Sequence, residues 1–388
     1  MAYNRKIEEH IEKYLAEDSN KIFFMWGPRR AGKTFIMRKI SEKLKVPLFN
    51  FDLRSDQEKF LPDRSVLSKL ASALPVILID EVQNFPEATV ALKILFDEFK
   101  VKIIATGSSE LRRKSTDFDS LAGRFIEYNC LPLSASEIKN NLSVKPYEES
   151  VFSKFLMSDV SIYGSYPEIY GQKKSEAEKI DLLQNIFDTY VLKDIVDIYN
   201  LRNAKLAKDI LVKVALQIGS EISVRELANS LGSNTMTVSN YLEIFIKNYI
   251  LLPLPAFKTN LRRAVSAHRK LYFLDLGLRN ILIKDFRPLD LRPDKGGVFE
   301  NFIIAEFFKK VLNDHLHCSF YFYREYGGKE VDLVAENYKK EYFCFESKFN
   351  GHSVSPIFPL PHKLETINQK NYFNLIESLC QFSDVLAS

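Results

Sequence analysis

The sequence predicts an α/β protein built on a doubly wound parallel sheet, and three observations predict it. A short apolar run, Ile22-Phe-Phe-Met-Trp26, leads through a glycine-bearing loop into a helical pattern over 35–44. A second run, Val76-Ile-Leu-Ile79, ends in Asp80-Glu81, and a third, over 101–105, ends in Thr106-Gly-Ser-Ser109. Continuous apolar runs of this length suit strands covered on both faces by helices. The C-terminal ends of such strands are where a doubly wound sheet gathers its ligand chemistry.

The chain of 388 residues has room for two or three domains at roughly 150 residues each. Hydrophobic residues make up 46% and charged residues 27%, a globular composition that excludes a disordered chain. No stretch approaches about 18 uninterrupted apolar residues, and the start lacks the apolar block and cleavage site of a secretory signal. A cytoplasmic protein without a membrane partner is expected. Cys130, Cys318, Cys344 and Cys380 form no C-x-x-C pair, so neither a zinc ribbon nor a disulfide framework follows. His315, His317 and Cys318 lack a fourth ligand nearby and are expected at a helix end. The net charge is +4, yet residues 201–290 hold 14 Lys and Arg against 7 Asp and Glu. That basic middle reads either as a phosphate-meeting segment or as a solvated face.

The loop after the first strand is Gly27-Pro28-Arg29-Arg30-Ala31-Gly32-Lys33-Thr34, which fits G-x-x-x-x-G-K-[ST] throughout. Strand, glycine loop and helix together aim backbone N–H groups and a helix N-terminus at phosphates. Lys33 is then expected to neutralise the β and γ oxygens of a nucleotide, and the Thr34 hydroxyl to ligate Mg²⁺. Asp80 is expected in the Mg²⁺ shell, and Glu81 to orient and deprotonate the attacking water. Thr106 and Ser108 are either sensors of the γ-phosphate or parts of a simple turn.

Further motifs run along most of the chain: GPRRAGKT, LIDEVQNFP, ATGSSEL, LAGRF, LPLSASEI, YGSYPEIY, YFLDLGLRN, VFENFIIAEFF and GGKEVDL. Through them the sequence resembles a bacterial and archaeal family of AAA-type P-loop ATPases, related to origin-recognition ATPases. That family carries a C-terminal winged-helix and restriction-endonuclease-like (PD-(D/E)XK-type) domain of unknown function. The resemblance implies a P-loop AAA-type ATPase core over 1–133, a helical lid over 134–200, a winged helix over 201–292 and an α/β restriction-endonuclease-like module over 293–388. ATP and Mg²⁺ are the implied cofactors. Arg124 lies where such ATPases place an arginine that reaches a neighbouring subunit's γ-phosphate, which would demand a homo-oligomer; a surface ion pair is the other reading.

The lid is expected to open at the capping box Ser134-Ala-Ser-Glu137 and to contain an amphipathic helix over 181–194. It carries Gly164-Ser-Tyr-Pro167 with no arginine inside, which speaks against a second nucleotide sensor there. Residues 223–248 read as a helix-turn-helix with its turn at Leu231-Gly-Ser-Asn234. Strand-like runs over 249–253 and 270–274 bracket a basic wing. Lys258, Arg262, Arg263, Arg269 and Lys270 would contact DNA phosphates, while Asn234, Thr235, Thr237 and Asn240 would face the groove; packing or protein docking is the alternative.

Near the C-terminus, Glu300 falls in a helix, Asp332 in one strand, and Glu346 and Lys348 in the next. With period-two alternation Glu346 and Lys348 share a face and meet Asp332 across the ladder. Two carboxylates and a lysine are the means by which PD-(D/E)XK nucleases hold Mg²⁺ and activate water. The proline-broken run over 354–361 predicts that the closing strand is missing and the module truncated. Three functions follow: an ATP-hydrolysing protein acting on DNA or a DNA-bound complex, a non-enzymatic ATP-switched regulator or adaptor, and an ATP-gated, Mg²⁺-dependent nuclease.

Overall fold

A computed structural model describes residues 3–18, 21–108, 121–142, 144–170, 174–195, 199, 201, 203–258, 269–325, 328–351 and 357–383. The chain divides into two compact units, one of Asn4–Pro132 and one made chiefly of Leu133–Ser388.

In the first unit five parallel strands, β1 (Ile22–Trp26), β2 (Leu48–Asn50), β3 (Val76–Asp80), β4 (Lys102–Gly107) and β5 (Phe125–Asn129), lie in the order β2-β3-β4-β1-β5. Alternation along the central strands divides their side chains between two apolar layers. Phe24, Trp26, Ile77, Ile79 and Ile103 pack with Leu67, Leu92 and Leu95 of the helices Arg64–Ala73 and Ala88–Asp97. Phe23, Met25, Leu78 and Ile104 pack with Ile7, Ile11, Ile36 and Met37 of the helices Lys6–Ala16 and Lys33–Leu44. Burying one such large side chain is worth about 2 kcal/mol, so this sandwich fixes the strand ends on which the site depends. The order sets β4 between β1 and β3, with Met25 opposite Thr106.

The second unit opens at Ser134, whose hydroxyl accepts from the Glu137 N–H (3.2 Å) while Glu137 accepts from the Ser134 N–H (3.0 Å), capping the helix Ala135–Asn141. Helices Glu149–Tyr163 and Glu176–Ile186 follow, the latter continuing into a wider π-helical turn over Phe187–Asp194. The helix Ala204–Leu216, β6 (Glu221–Ile222), the helices Val224–Ser230 and Thr235–Lys247, and the hairpin β7 (Leu251–Pro255) and β8 (Arg269–Phe273) come next. Their small sheet has the order β6-β8-β7. After the helices Leu276–Ile283 and Lys295–Asp314 comes a second sheet of β9 (Cys318–Arg324), β10 (Glu330–Asn337), β11 (Tyr342–Ser347) and β12 (His362–Ile367), in the order β12-β11-β10-β9. The helix Tyr372–Ser383 follows it.

β12 corrects the expectation of a missing closing strand: it pairs in parallel with β11, Tyr342 opposite His362 through Ser347 opposite Ile367. The prolines end before it begins, and exposed Lys363 and Glu365 hide an edge strand that lacks a continuous apolar run.

Several motifs behind the family resemblance prove to be packing. An added Cβ on Gly164 (φ +76) would lie 2.0 Å from an oxygen of buried Asp275, which also accepts from the Ser165 N–H at 2.7 Å. Buried Lys309 donates to the Leu133 carbonyl, the Ser165 hydroxyl and Glu306, and Glu306 accepts from the Ala135 N–H at 2.7 Å. YGSYP, LDLGLRN, LPLSA and the helix VFENFIIAEFF thus close one buried polar network, every member of which needs a partner in so dry a place.

Candidate nucleotide site and the C-terminal acidic cluster

The phosphate loop owes its shape to positions that exclude side chains or favour left-handed backbone. A Cβ on Gly27 would fall 2.0 Å from the Cys130 carbonyl oxygen, so only glycine lets the loop approach the exit of β5. Arg30 (φ 63) and Gly32 (φ 102) both turn left-handed, and Gly32 then begins the helix Lys33–Leu44 without a side-chain cap. The first-turn N–H groups of that helix are left for an anion. Arg5, buried, braces the loop from behind by donating to the Ala31 carbonyl (2.8 Å) and the Leu131 carbonyl (2.6 Å). Arg29 is half-buried, Arg30 exposed and Thr34 half-buried, while Ala31 is in the core.

Lys33 is only 4% exposed. Its ammonium donates to the Gly27 carbonyl (2.8 Å) and the Pro28 carbonyl (2.9 Å). Burial pulls its pKa down, with Glu81, Cys130 and Asp80 acting in the other direction. A buried cation whose hydrogen bonds go to neutral oxygens is ready to take a phosphate in their place.

At the ends of β3 and β4 the Thr106 hydroxyl donates to buried Asp80 and accepts from the Glu81 N–H at 3.4 Å. Glu81 is itself left-handed (φ 54, ψ 47), and its carboxylate accepts from the Gln83 amide. Gln83 Oε1 accepts from the N–H of buried Ser108 at 3.2 Å. Thr34 hydroxyl and Asp80 carboxylate are the hard oxygen donors that suit Mg²⁺, so these residues fit the ion. Arg124 donates to Asp97 of its own chain at 2.8 Å, which holds the carboxylate below its usual range. Sequence reasoning does not single out Arg5 or Gln83: nothing local marks Arg5, while Gln83 stands inside LIDEVQNFP.

The C-terminal acids are in a different condition. Lys270, expected on a basic wing, is 2% exposed; its ammonium lies 3.0 Å from Glu300 and pairs with Glu330 as well. The hairpin turns this face inward because it docks on β9: Ala256 bridges to Phe322, and the Phe257 N–H donates to the Phe322 carbonyl at 2.7 Å. Tyr272 also donates to Glu300. Burial pushes the Glu300 carboxyl up to about 7, with Lys270 opposing and Asp332 adding to the rise. Burial pulls Lys270 down, but Glu300 and Glu330 leave it above its ordinary value.

Asp332 does not meet Lys348. It accepts from the Ser347 N–H (2.8 Å) and hydroxyl (2.9 Å), beside a register shift between Val331 and Val334 that re-aims this stretch of β10. Lys348 lies past the end of β11, its ammonium 3.7 Å from buried Glu346. A divalent ion does not fit between Glu300 and Glu330, where an ammonium already stands. Among the described residues no group of three or more His, Cys, Asp or Glu is arranged to hold a metal.

In the helix-turn-helix segment Asn234 caps the second helix, accepting from the Thr237 N–H at 2.7 Å. Its side chain is therefore engaged in capping and not presented simply as a base reader. Thr235 and Asn240 are exposed and Thr237 half-buried. Arg269 pairs with Glu243 at 2.7 Å. Lys258 is half-buried, and Arg262 and Arg263 lie outside the described residues. Among the described residues no helix is long and apolar enough to cross a membrane.

Residues 19–139 match a family model described as an AAA domain. Residues 154–289 and 295–360 match two domains of unknown function, DUF8612 and DUF4143. An uncharacterized protein of Methanocaldococcus jannaschii is 27% identical over 349 residues, covering 84% of this chain and 75% of its own. An uncharacterized protein of Haemophilus influenzae is 23% identical over 293 residues, covering 70% and 72%. Among solved structures, the Aeropyrum pernix ORC1 protein in complex with DNA gives a TM-score of 0.32 at 14% identity, covering 74% of this chain and 93% of that one. The Thermotoga maritima RuvB Holliday junction branch migration motor gives 0.31 at 14%, covering 65% and 90%. The domain match coincides with the loop, the lysine and the acid-ended strand described above, and residues 19–139 accordingly form the AAA-type P-loop domain of an ATP-binding protein.

Proposed function

We propose that the protein hydrolyses ATP and applies the cycle to DNA or to a DNA-bound complex. The observation that carries the hydrolytic reading is the convergence of Lys33, Asp80, Glu81 and Thr106 at the ends of three neighbouring strands. Lys33 exchanges the carbonyls of Gly27 and Pro28 for the β and γ oxygens, and the first-turn N–H groups bind the phosphates beside it. Thr34 and Asp80 would hold Mg²⁺, which supplies charge neutralisation at the phosphates. Thr106 fixes Asp80, and Glu81 orients the attacking water and accepts its proton. Because Lys33 is buried, its attraction for the transferring phosphoryl is poorly screened.

The DNA reading is supported by the exposed Thr235 and Asn240 at the start of the second helix of the helix-turn-helix, and by exposed Arg225 on the first. Helix, β6, two helices and a hairpin are the parts of a winged helix in chain order. The β9–β12 sheet with its long preceding helix suits the restriction-endonuclease-like module. Lys270 between the acids speaks against a Mg²⁺-dependent nuclease there.

Phosphate release, with and without duplex and single-stranded DNA, tests the proposal. Glu81→Gln is expected to lower turnover by at least about 100-fold while ATP still binds in a calorimetric titration. Parental turnover in Glu81→Gln removes the assigned base. ATP binding without turnover in the parent would leave an ATP-switched regulator. A turnover that ignores DNA, together with no salt-sensitive DNA binding, would remove the DNA half.

A further inference from the structure

We propose that Gln83 is a positioning residue for Glu81 and ties it mechanically to the loop that meets the terminal phosphate. The inference rests on the hydrolytic reading above and adds to it how the water-activating carboxylate is held.

Glu81 occupies the left-handed region (φ 54, ψ 47), where a residue with a Cβ stays only when its surroundings hold it. Two groups do so. The Thr106 hydroxyl accepts from the Glu81 N–H (3.4 Å), and the Gln83 amide nitrogen donates to the Glu81 carboxylate. The other end of the same amide is taken by the chain just past β4, where Gln83 Oε1 accepts from the Ser108 N–H at 3.2 Å.

An amide side chain has one accepting end and one donating end. Since the Ser108 N–H can only donate, it claims the oxygen, and the NH₂ must face Glu81. The orientation is thereby fixed by the network. Packing leaves the amide little room to swing away, because a Cβ on neighbouring Gly107 would lie 2.8 Å from Gln83 Oε1 and 2.6 Å from the Trp26 ring. One side chain therefore spans from the carboxylate to the backbone of residue 108, two residues beyond Thr106. Any shift of that backbone on meeting a γ-phosphate is passed to the Glu81 carboxylate, and the donor on one oxygen sets the plane in which the other can face a water. Displacements of about 1 Å in such a group change rates by about 100-fold.

The test compares the parent with Glu81→Gln, Gln83→Glu and Gln83→Ala, measuring kcat and KM for ATP, affinity for a non-hydrolysable ATP analogue, and the melting temperature. Gln83→Glu keeps the volume and the acceptor for Ser108 but sets a carboxylate against a carboxylate; Gln83→Ala removes both bonds. Both variants are expected to lose at least about 10-fold in kcat with analogue affinity within about two-fold of the parent. Parental kcat in Gln83→Glu, a raised kcat in either variant, or a loss of analogue affinity in step with kcat would overturn the assignment. A melting temperature lowered in Gln83→Ala but kept in Gln83→Glu leaves the decision to the latter. If the parent does not turn over ATP, or Glu81→Gln turns over like the parent, the hydrolytic reading falls and this inference with it. If Glu81→Gln is inactive and Gln83→Glu is not, this inference alone falls.

Discussion

Asp80 and Glu81 are held by neutral groups, the Thr106 hydroxyl and the Gln83 amide, while the cation beside them, Lys33, rests on carbonyl oxygens of its own loop. Glu300 and Glu330 are held by charged ones: Lys270 lies between them, and Arg324 pairs with Glu330 and, at 2.7 Å, with Glu221. Both regions set acids of little exposure near a buried lysine. The difference lies in who balances the charge. Neutral donors fix geometry and leave the electrostatics for a ligand to complete, whereas a cation from the same chain completes it on folding. Buried ionisable clusters thus divide into those awaiting a partner and those that already have one.

The most damaging way to probe that division is Lys270→Met. It takes the cation from Glu300 while Glu330 keeps Arg324, and should cost about 3–5 kcal/mol of stability, read from denaturant unfolding of the full chain. Adding Glu300→Gln should restore part of the loss, since the two changes act on one network. Equal stability of the single and double variants would show that the pair is not the lock described here. Next in size, Lys33→Ala should weaken ATP binding by about 100-fold, the value of a charge-assisted contact, with the melting temperature little changed. A variant titrating like the parent would place the phosphates elsewhere.

The smallest effect is a slope. Burial holds the Glu300 carboxyl at about 7 against an ordinary value of 4.5, so the folded chain keeps a proton that the unfolded chain has given up. Its contribution is full below about 4.5 and declines as pH rises towards about 7. Glu300→Gln should flatten the stability profile across that window and leave it unchanged above. A parental slope in the variant would assign the titration to another group.

The nucleotide site was legible because its information is local: eight consecutive residues and an acid pair at the end of an apolar run carry it. The basic middle is harder to read for the opposite reason. Lys270 finds Glu300 and Glu330, Arg269 finds Glu243, and buried Arg279 finds Asp294 and the Ala215 carbonyl, so these three of the 14 cations counted along 201–290 are paired within the fold. A charge count cannot register partners that approach only through tertiary packing. Spacing likewise put Lys348 beside Asp332, but the register shift in β10 and the end of β11 at Ser347 gave that carboxylate to Ser347 instead. β12 was hidden by its alternating polar residues, and Gln83 by the need to know where β4 ends.

The Arg5 brace has a practical side. The matched AAA stretch begins at residue 19, yet the guanidinium that ties Ala31 to Leu131 comes from upstream of it. A fragment trimmed to the homology border would retain the phosphate loop and the acid pair and lose the strut behind them. Weak nucleotide binding by that fragment would report the lost strut and not the absence of the activity.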